Sequence, residues 1–399
     1  MSNSIDGSKA GNGDRMPLGS GSALPPRPGT RVLITGGAGF IGSHLANTLT
    51  EHGCRVRVYD SLIDQVHGGA GEFPVHLHAD IERVSGDIRD RDSLRAALQD
   101  AETVYHLAAA VGVGQSMYQI AHYTGVNNLG TAILLECLAE RPVERLVVAS
   151  SMSVYGEGLY RLGDQLFAPA GRERDQLRRG QWELQASGES LTPVPTPEEK
   201  TPEPTSVYAL SKYDQERLCL LFGEAYGIPT VALRFFNVYG PHQALSNPYT
   251  GVLAIFASRC LNGRPPLIFE DGKQRRDFVS VKDVAQACTL AMTTTATGQA
   301  FNVGSGHAYS VIEIANAVID AVGASVEPTI TGNFRVGDIR HCFADISKAQ
   351  RFLGYQPRVE LSDGVSELAE WLLHSGARDR AQDNFIHASN ELSRRGLTL

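Results

Sequence analysis

Three absences narrow the field before any motif is read. No apolar run in the 399-residue chain reaches the roughly 18 residues that a membrane-spanning helix needs. The six cysteines (Cys54, Cys137, Cys219, Cys260, Cys288 and Cys342) are scattered, and none forms a Cys-x-x-Cys pair. Several sit in apolar helical runs, where cysteine behaves as a small hydrophobe. That is the pattern of reduced, structural thiols in a cytoplasmic protein, not of a disulfide framework. A basic excess is also missing. The net charge is −8 and the pI about 5.9, which excludes a general nucleic-acid binder but leaves room for one phosphate ligand held by a few local cations.

What is present is ordinary globular composition, 42% hydrophobic and 20% charged, in a length that fits one large or two small domains. Residues 1–29 are rich in Gly, Ser and Pro and lack an apolar core. They match neither a signal peptide nor an anchor and are expected to form a disordered arm.

Order is expected from Arg31, where a short apolar strand runs to Thr35 and meets the glycines Gly36, Gly39 and Gly42. A helix follows from about Phe40 and Ile41 to His52, then a strand from Arg55 that ends in Asp60. Strand, glycine turn, helix, strand and acid make one βαβ unit. Gly36 allows the tight turn, Gly39 lets a pyrophosphate approach the amides at the helix N-terminus, and Gly42 lets helix and strand pack closely. Asp60 is placed to accept hydrogen bonds from an adenosine ribose and to repel a 2′-phosphate, which points to NAD rather than NADP.

The alternation continues with strands at 81–85, 103–109 and 145–149 and helices at 92–98 and about 117–139. Repeated βα units predict a parallel sheet covered on both faces. The stretch 157–203 breaks the rhythm. It is polar, Pro-rich near its end and free of metal-ligand spacing, so it reads either as a disordered insertion or as a flap over a nearby site. Next come Tyr208 and Lys212, one helical turn apart on one face of a helix expected to reach Tyr226. An ammonium beside a phenol lowers the phenol pKa from about 10 and makes it a base for a hydroxyl near neutral pH. An ordinary surface helix can carry the same pair. Beyond a strand at 230–236 the elements become shorter and less regular, as expected of a smaller lobe.

Together the glycine loop, the Tyr–Lys pair and the serine-rich strand end at Ser151 resemble the extended short-chain dehydrogenase/reductases, and within them the sugar-nucleotide epimerases and dehydratases. The resemblance runs from about 30 to about 373, apart from the insertion. It implies an α/β fold: a Rossmann-type doubly wound parallel sheet over 30–240, with a smaller C-terminal α/β lobe for substrate, mainly 241–373, and a tail at 374–399. Asp87 and Ile88 resemble residues that meet the adenine. Leu107, Ala108 and Ala109, which follow His106, resemble the strand end that flanks the cofactor. Asn127 resembles a position between cofactor and substrate. By the same resemblance Ser151, Tyr208 and Lys212 form the catalytic set, with Ser153 able to share the work of Ser151. Asn237, Arg276 and Arg335 resemble residues that meet the sugar and diphosphate, and Asp338 is expected to fix Arg335 or a ribose hydroxyl. No role is assigned to His242, His307 or His341, and no metal is expected.

Positions 152 and 153 sharpen the reaction. Related hexose 4,6-dehydratases carry Asp then Glu there, and decarboxylating relatives also use a Glu. This chain has Met152 and Ser153, neither of which performs carboxylate proton transfer. The residues therefore point to hydride and proton transfer at one carbon. The Ser-Met-Ser-Val-Tyr-Gly stretch from 151, the motif Ser246–Val252 and the Gly-Asp-Ile-Arg-His run at 337–341 look like the dTDP-L-rhamnose 4-epimerase group. The expectation is a 4-epimerase of a nucleotide-diphosphate sugar with retained NAD, and a homodimer. A 4-keto-sugar reductase or other dehydrogenase, a UDP-hexose 4-epimerase and a non-enzymatic NAD-binding regulator are the rivals.

Overall fold

A computed structural model describes residues 25–68, 71–244, 251–335, 337–374 and 391–398. Most of the N-terminal arm, most of the 246–252 motif, Val336 and residues 375–390 of the tail lie outside them. The centre is one seven-stranded sheet. Its strands are β1 (Arg31–Thr35), β2 (Arg55–Asp60), β3 (Glu82–Ser85), β4 (Thr103–His106), β5 (Arg145–Ser151), β6 (Thr230–Phe235) and β7 (Gln299–Val303). They lie in the order β3-β2-β1-β4-β5-β6-β7, with every pairing parallel. The order reverses between β1 and β4, which opens a crevice at the carboxyl ends of those strands.

Buried apolar residues alternate to the two faces of the sheet. Val32, Ile34, Val56, Val147, Val231 and Leu233 join one core, while Leu33, Val104, Leu146, Val148 and Ala232 join the other. The helices that cover them include α1 (Phe40–Glu51), α2 (Arg91–Ala97), α3 (Gly130–Glu140) and α4 (Val207–Tyr226). The smaller lobe packs α5 (Val252–Leu261), α7 (Val311–Val322) and α8 (Leu361–His374) around Leu253, Phe256, Ile314, Val318 and Leu368. Between α5 and α7, α6 (Val281–Thr293) returns to pack on α1.

Three differences from the sequence-based expectation stand out. The strand β7 and its flanking helix α6 belong to the central sheet although they come from the segment assigned mainly to the lobe. The helix expected over 117–139 runs from Ile120 to Glu140, but it widens into a π-helical stretch at Thr124–Leu129 before α3. The wide turn carries Asn127, whose side chain is engaged on both sides, and π-turns often mark such places. The insertion is ordered. Leu159–Leu162, Gln165–Phe167 and Thr192–Val194 form a small antiparallel sheet, and Tyr160, Leu184 and Leu191 make a minor core beneath it.

Helix α4 starts at Ser206, whose hydroxyl accepts from the Ala209 amide at 3.1 Å, and stops at Gly227 in the left-handed region, φ 69°. Its inner face is unusually polar: Ser211, Lys212, Gln215 and Glu216 are all buried. Glu216 receives both arms of Arg234 on β6, at 2.6 and 2.9 Å, and the Ser150 hydroxyl of β5 at 2.6 Å. Glu216→Gln would leave the buried Arg234 charge without its counter-ion. The expected loss is about 3–5 kcal/mol of stability, read from urea denaturation against the unaltered chain.

Candidate active site

In the glycine turn between β1 and α1, Gly36 and Gly42 have no room for a side chain. Gly36 has φ +70°, and a Cβ there would lie 2.7 Å from the Ala108 amide nitrogen. A Cβ at Gly42 would lie 2.3 Å from the Gly36 carbonyl oxygen. Gly39 is the residue immediately before α1, and Phe40 and Ile41 begin the helix. The Asp60 carboxylate closes this cradle, accepting from the Ala38 amide at 3.1 Å and the Leu62 amide at 3.0 Å. A bare backbone at a helix N-terminus, with an anionic acceptor at the tip of β2, fits the pyrophosphate and adenosine ribose of NAD.

The flanking residues fit the same cradle less directly. Leu107 donates its amide to the Thr35 carbonyl at 3.0 Å and leads into Ala108 and Ala109. Asp87 is paired with Arg89 at 2.6 Å, which holds its carboxyl below the usual range. The Ile88 side chain is in the core, so it offers a cofactor only its backbone. Asn127 is fully buried. Its Oδ1 accepts from the Ala110 amide at 2.7 Å, and its Nδ2 donates to the Ala110 carbonyl at 3.1 Å and the Ser211 hydroxyl at 2.8 Å. It therefore fastens the loop after β4 to α4.

Ser151 ends β5, and its hydroxyl accepts from the Ser153 amide at 3.2 Å and the Ser153 hydroxyl at 2.9 Å. Tyr208, in the first turn of α4, faces Ser151 closely enough for that hydroxyl to act on its phenol, so the three hydroxyls share one place. Ser116 supports the turn by accepting the Tyr208 amide at 3.0 Å. Met152 is buried in the core.

The expected tuning of Tyr208 by Lys212 is not what the structure displays. Burial raises the Tyr208 phenol, and the nearby Ser151 hydroxyl opposes that rise. The Lys212 ammonium instead donates to Gln215 Oε1. Its pKa is pushed down to about 8 by burial. Gln215 Nε2 meets His106 Nε2 at 2.8 Å and Thr131 Oγ1 at 2.9 Å, and His106 Nδ1 meets Thr35 Oγ1 at 2.8 Å. Because Gln215 Nε2 is a donor, His106 Nε2 is the accepting nitrogen and Nδ1 carries the proton. Gln215 is a support of the site that no motif singles out, while His106 enters the resemblance only as the start of the strand end before Leu107.

The substrate-side residues are more dispersed. Asn237 pairs through its amide with the Asp277 carbonyl at 3.0 Å, and its side-chain Oδ1 is buried without a partner. Arg276 donates to the carbonyls of Arg275 and Arg340, each at 2.9 Å, and to that of Ile339, with Asp338 3.8 Å away. Its fork therefore shores up the loop at 337–341. Asp338 accepts from the Ile339 amide at 3.0 Å, and it meets Arg335 through the backbone, its amide donating to the Arg335 carbonyl at 3.3 Å. The Arg335 guanidinium lies 4.6 Å from the Phe269 ring centroid, and its Nε is buried without a partner.

The insertion clamps that loop from outside. Arg172 forks onto Glu270 at 2.7 and 2.9 Å and donates to the Asp338 carbonyl at 3.1 Å. Arg340 is fully buried between Glu183, Glu270 and Asp271, and His341 meets Glu183 at 3.0 Å. Glu157 accepts from the Arg340 amide at 2.7 Å and the Tyr160 hydroxyl at 2.8 Å. Among the described residues no group of three or more His, Cys, Asp or Glu side chains is placed to hold a metal, and no helix is long and apolar enough to cross a membrane.

His106 gives a pH test of the buried network. Burial pushes its pKa down to about 3, against roughly 6.5 in an unfolded chain. Below pH 6.5 the unfolded state binds a proton that the native state refuses, so stability falls with pH through that window. The residue's share is about 2 kcal/mol between pH 7 and pH 5. His106→Gln is expected to flatten that part of the stability profile, measured by urea unfolding at the two pH values.

With this geometry in place, the relatives are informative. The profile of the "NAD dependent epimerase/dehydratase family" matches residues 32–176 and 177–304. The chain is 38% identical over 352 residues to a dTDP-L-rhamnose 4-epimerase of Burkholderia thailandensis, covering 86% of this chain and 95% of that protein. It superposes on the UDP-glucose 4-epimerase of Thermotoga maritima, solved with UDP-glucose, with a TM-score of 0.71 and 30% identity over 87% of this chain and 99% of the other. The Thermus thermophilus UDP-glucose 4-epimerase, solved with NAD, gives 0.69 and 30% over 87% and 100%. The chain is thus an NAD-using enzyme and belongs to the NAD-dependent epimerase/dehydratase family.

Proposed function

We propose that the chain is a nucleotide-sugar 4-epimerase whose substrate is a dTDP-6-deoxyhexose such as dTDP-L-rhamnose. The observation that carries this is the Tyr208–Ser151–Ser153 hydroxyl cluster beside the cradle, with Met152 and Ser153 where dehydrating relatives carry carboxylates. The 38% identity to a dTDP-L-rhamnose 4-epimerase supports the choice of base and sugar.

NAD, when bound, supplies a reversible hydride acceptor for C4 of the sugar. Gly36, Gly39, Gly42 and Asp60 would hold its adenosine diphosphate half, and Lys212 the ribose of the other half. Tyr208 takes the proton from the C4 hydroxyl and returns it after the 4-keto sugar has turned over. Ser151 holds that oxygen, with Ser153 behind it. Burial keeps Tyr208 protonated at rest, so a cation close to its hydroxyl must favour the phenolate during reaction; Lys212 is the cation on its face of α4. Asn237, Arg276 and Arg335 receive the sugar and diphosphate, and Asp338 orders the loop that carries Arg335. Holding the keto sugar while it rotates is a proximity requirement, which the walls of the lobe serve.

The test is NMR of the purified protein incubated with dTDP-L-rhamnose and UDP-hexoses, without added NAD. Inversion at C4 with no net oxidation is expected; a requirement for stoichiometric NADH would replace epimerisation with keto-sugar reduction. Tyr208→Phe is expected to lower kcat by about 10²–10⁴-fold while nucleotide-sugar binding persists.

The six buried, unpaired thiols support a cytoplasmic location. A homodimer is supported by apolar residues left on the outer face of α4 and its neighbour. Leu129, Leu210, Leu221 and Tyr226 are each more than half exposed, and Leu210 and Leu221 lie about three turns apart on one face. Leu210→Asp is expected to convert a dimer to a monomer in light scattering; a monomeric unaltered chain would sink the assignment.

A further inference from the structure

Residues 391–398, expected to extend from the body as tail, pack on it instead. Glu391–Arg394 forms one helical turn, and the Leu397 amide closes back on the Leu392 carbonyl at 2.9 Å. Leu392 is 5% exposed. It rests on the bare backbone of Gly114, where an added Cβ would lie 3.2 Å from both of its δ-carbons. Arg395 covers the Tyr118 ring at 4.3 Å. The shelf under the tail is therefore the segment that contains Ser116, the acceptor of the Tyr208 amide. At its far end Thr398 pairs antiparallel with Arg335. The segment thus runs from the mouth of the Tyr208 site to the arginine of the opposite loop.

The pairing places two groups side by side. Residues directly opposite in an antiparallel bridge project to the same side. Arg335 Nε and Thr398 Oγ1 are both buried, and neither has a hydrogen-bond partner. Thr398 is 7% exposed. Buried polar atoms are nearly always satisfied, so two unsatisfied neighbours call for an explanation. Both can donate, and one belongs to a cation, a combination that an anionic oxygen satisfies. Phe269 under the guanidinium fixes the direction of the Arg335 fork.

We propose that the C-terminal segment is a wall of the substrate site, in which Thr398 joins Arg335 to bind the diphosphate of the nucleotide sugar, Leu392 serving as its anchor. The ligand named here rests on the nucleotide-sugar reading; the seating of the segment does not.

The test uses the NAD-loaded full chain, a chain ending at residue 390, and Thr398→Val and Thr398→Ser variants. Calorimetry with dTDP and UDP reads affinity, turnover reads KM against kcat, and hydrogen exchange at 112–118 reads seating. Thr398→Val should weaken nucleotide binding and raise KM about tenfold, with kcat within about twofold and exchange unchanged; Thr398→Ser should restore binding. Truncation should weaken binding at least as much and speed exchange at 112–118. Equal or tighter nucleotide binding by Thr398→Val and by the truncated chain, beside normal binding by the full chain, overturns the proposal alone. Failure of the full chain to bind either nucleotide overturns the nucleotide-sugar reading and Thr398's ligand with it. Unchanged exchange on truncation overturns the seating.

Discussion

The buried pair between Arg234 and Glu216 is the contact on which the arrangement of the site depends. Arg234 sits on β6 and Glu216 on α4, and both are almost wholly buried. Two charges leave water at a cost of several kcal/mol each, which is recovered only if every remaining polar atom finds a partner. Here they do. Ser150 on β5 donates to Glu216, Arg234 reaches the Tyr155 hydroxyl at 2.8 Å, and Tyr155 donates to Asn302 on β7 at 2.7 Å. One network therefore ties three neighbouring strands to one helix. Because Ser150 immediately precedes Ser151, and Glu216 lies two turns beyond Tyr208, locking the first pair also sets where Ser151 and Tyr208 meet.

A second network completes the same helix face. Lys212 reaches Gln215, Gln215 reaches His106 and Thr131, and His106 reaches Thr35 at the end of β1. Asn127 joins the loop after β4 to Ser211 on the next turn. A helix that buries a lysine, a glutamine, a glutamate and a serine toward the sheet is held by satisfied hydrogen bonds more than by apolar area. His106 is kept neutral first by burial in this network and second by the Lys212 ammonium nearby.

Much of this was legible beforehand, for physical reasons. Six of the seven strands were visible because doubly covered parallel strands read as apolar runs bounded by turns. The glycine cradle was visible because each glycine answers a steric demand. Tyr208 and Lys212 were visible as residue types one helical turn apart, and Ser151 through the family resemblance. β7 escaped because Gln-Ala-Phe-Asn-Val carries a polar residue mid-strand, and Asn302 is polar in order to meet Tyr155. The supports of the catalytic residues escaped because nothing local marks them: Gln215 becomes informative only when His106, more than a hundred residues earlier, is beside it. For the same reason the pairing of Tyr208 with Lys212, inferred from helical spacing, gave the right face but the wrong contact. Spacing fixes direction, while the hydrogen bond goes to whichever acceptor is nearest.

The insertion and the C-terminal segment show how polarity misleads. A polar, Pro-rich stretch reads as chain that cannot offset its own ordering entropy. The insertion offsets it with partners far away in sequence. Its minor core is only Tyr160, Leu184 and Leu191, but Arg172 and Glu183 are matched to Glu270 and Arg340 of the lobe. Removing one member would strand a buried charge, so the cluster holds the loop at 337–341 in a single arrangement. The segment 391–398 works on a smaller scale, with one leucine on a bare glycine and one backbone bridge. In the insertion, the charged residues that made the stretch read as polar are, in the folded chain, largely the means by which it is attached.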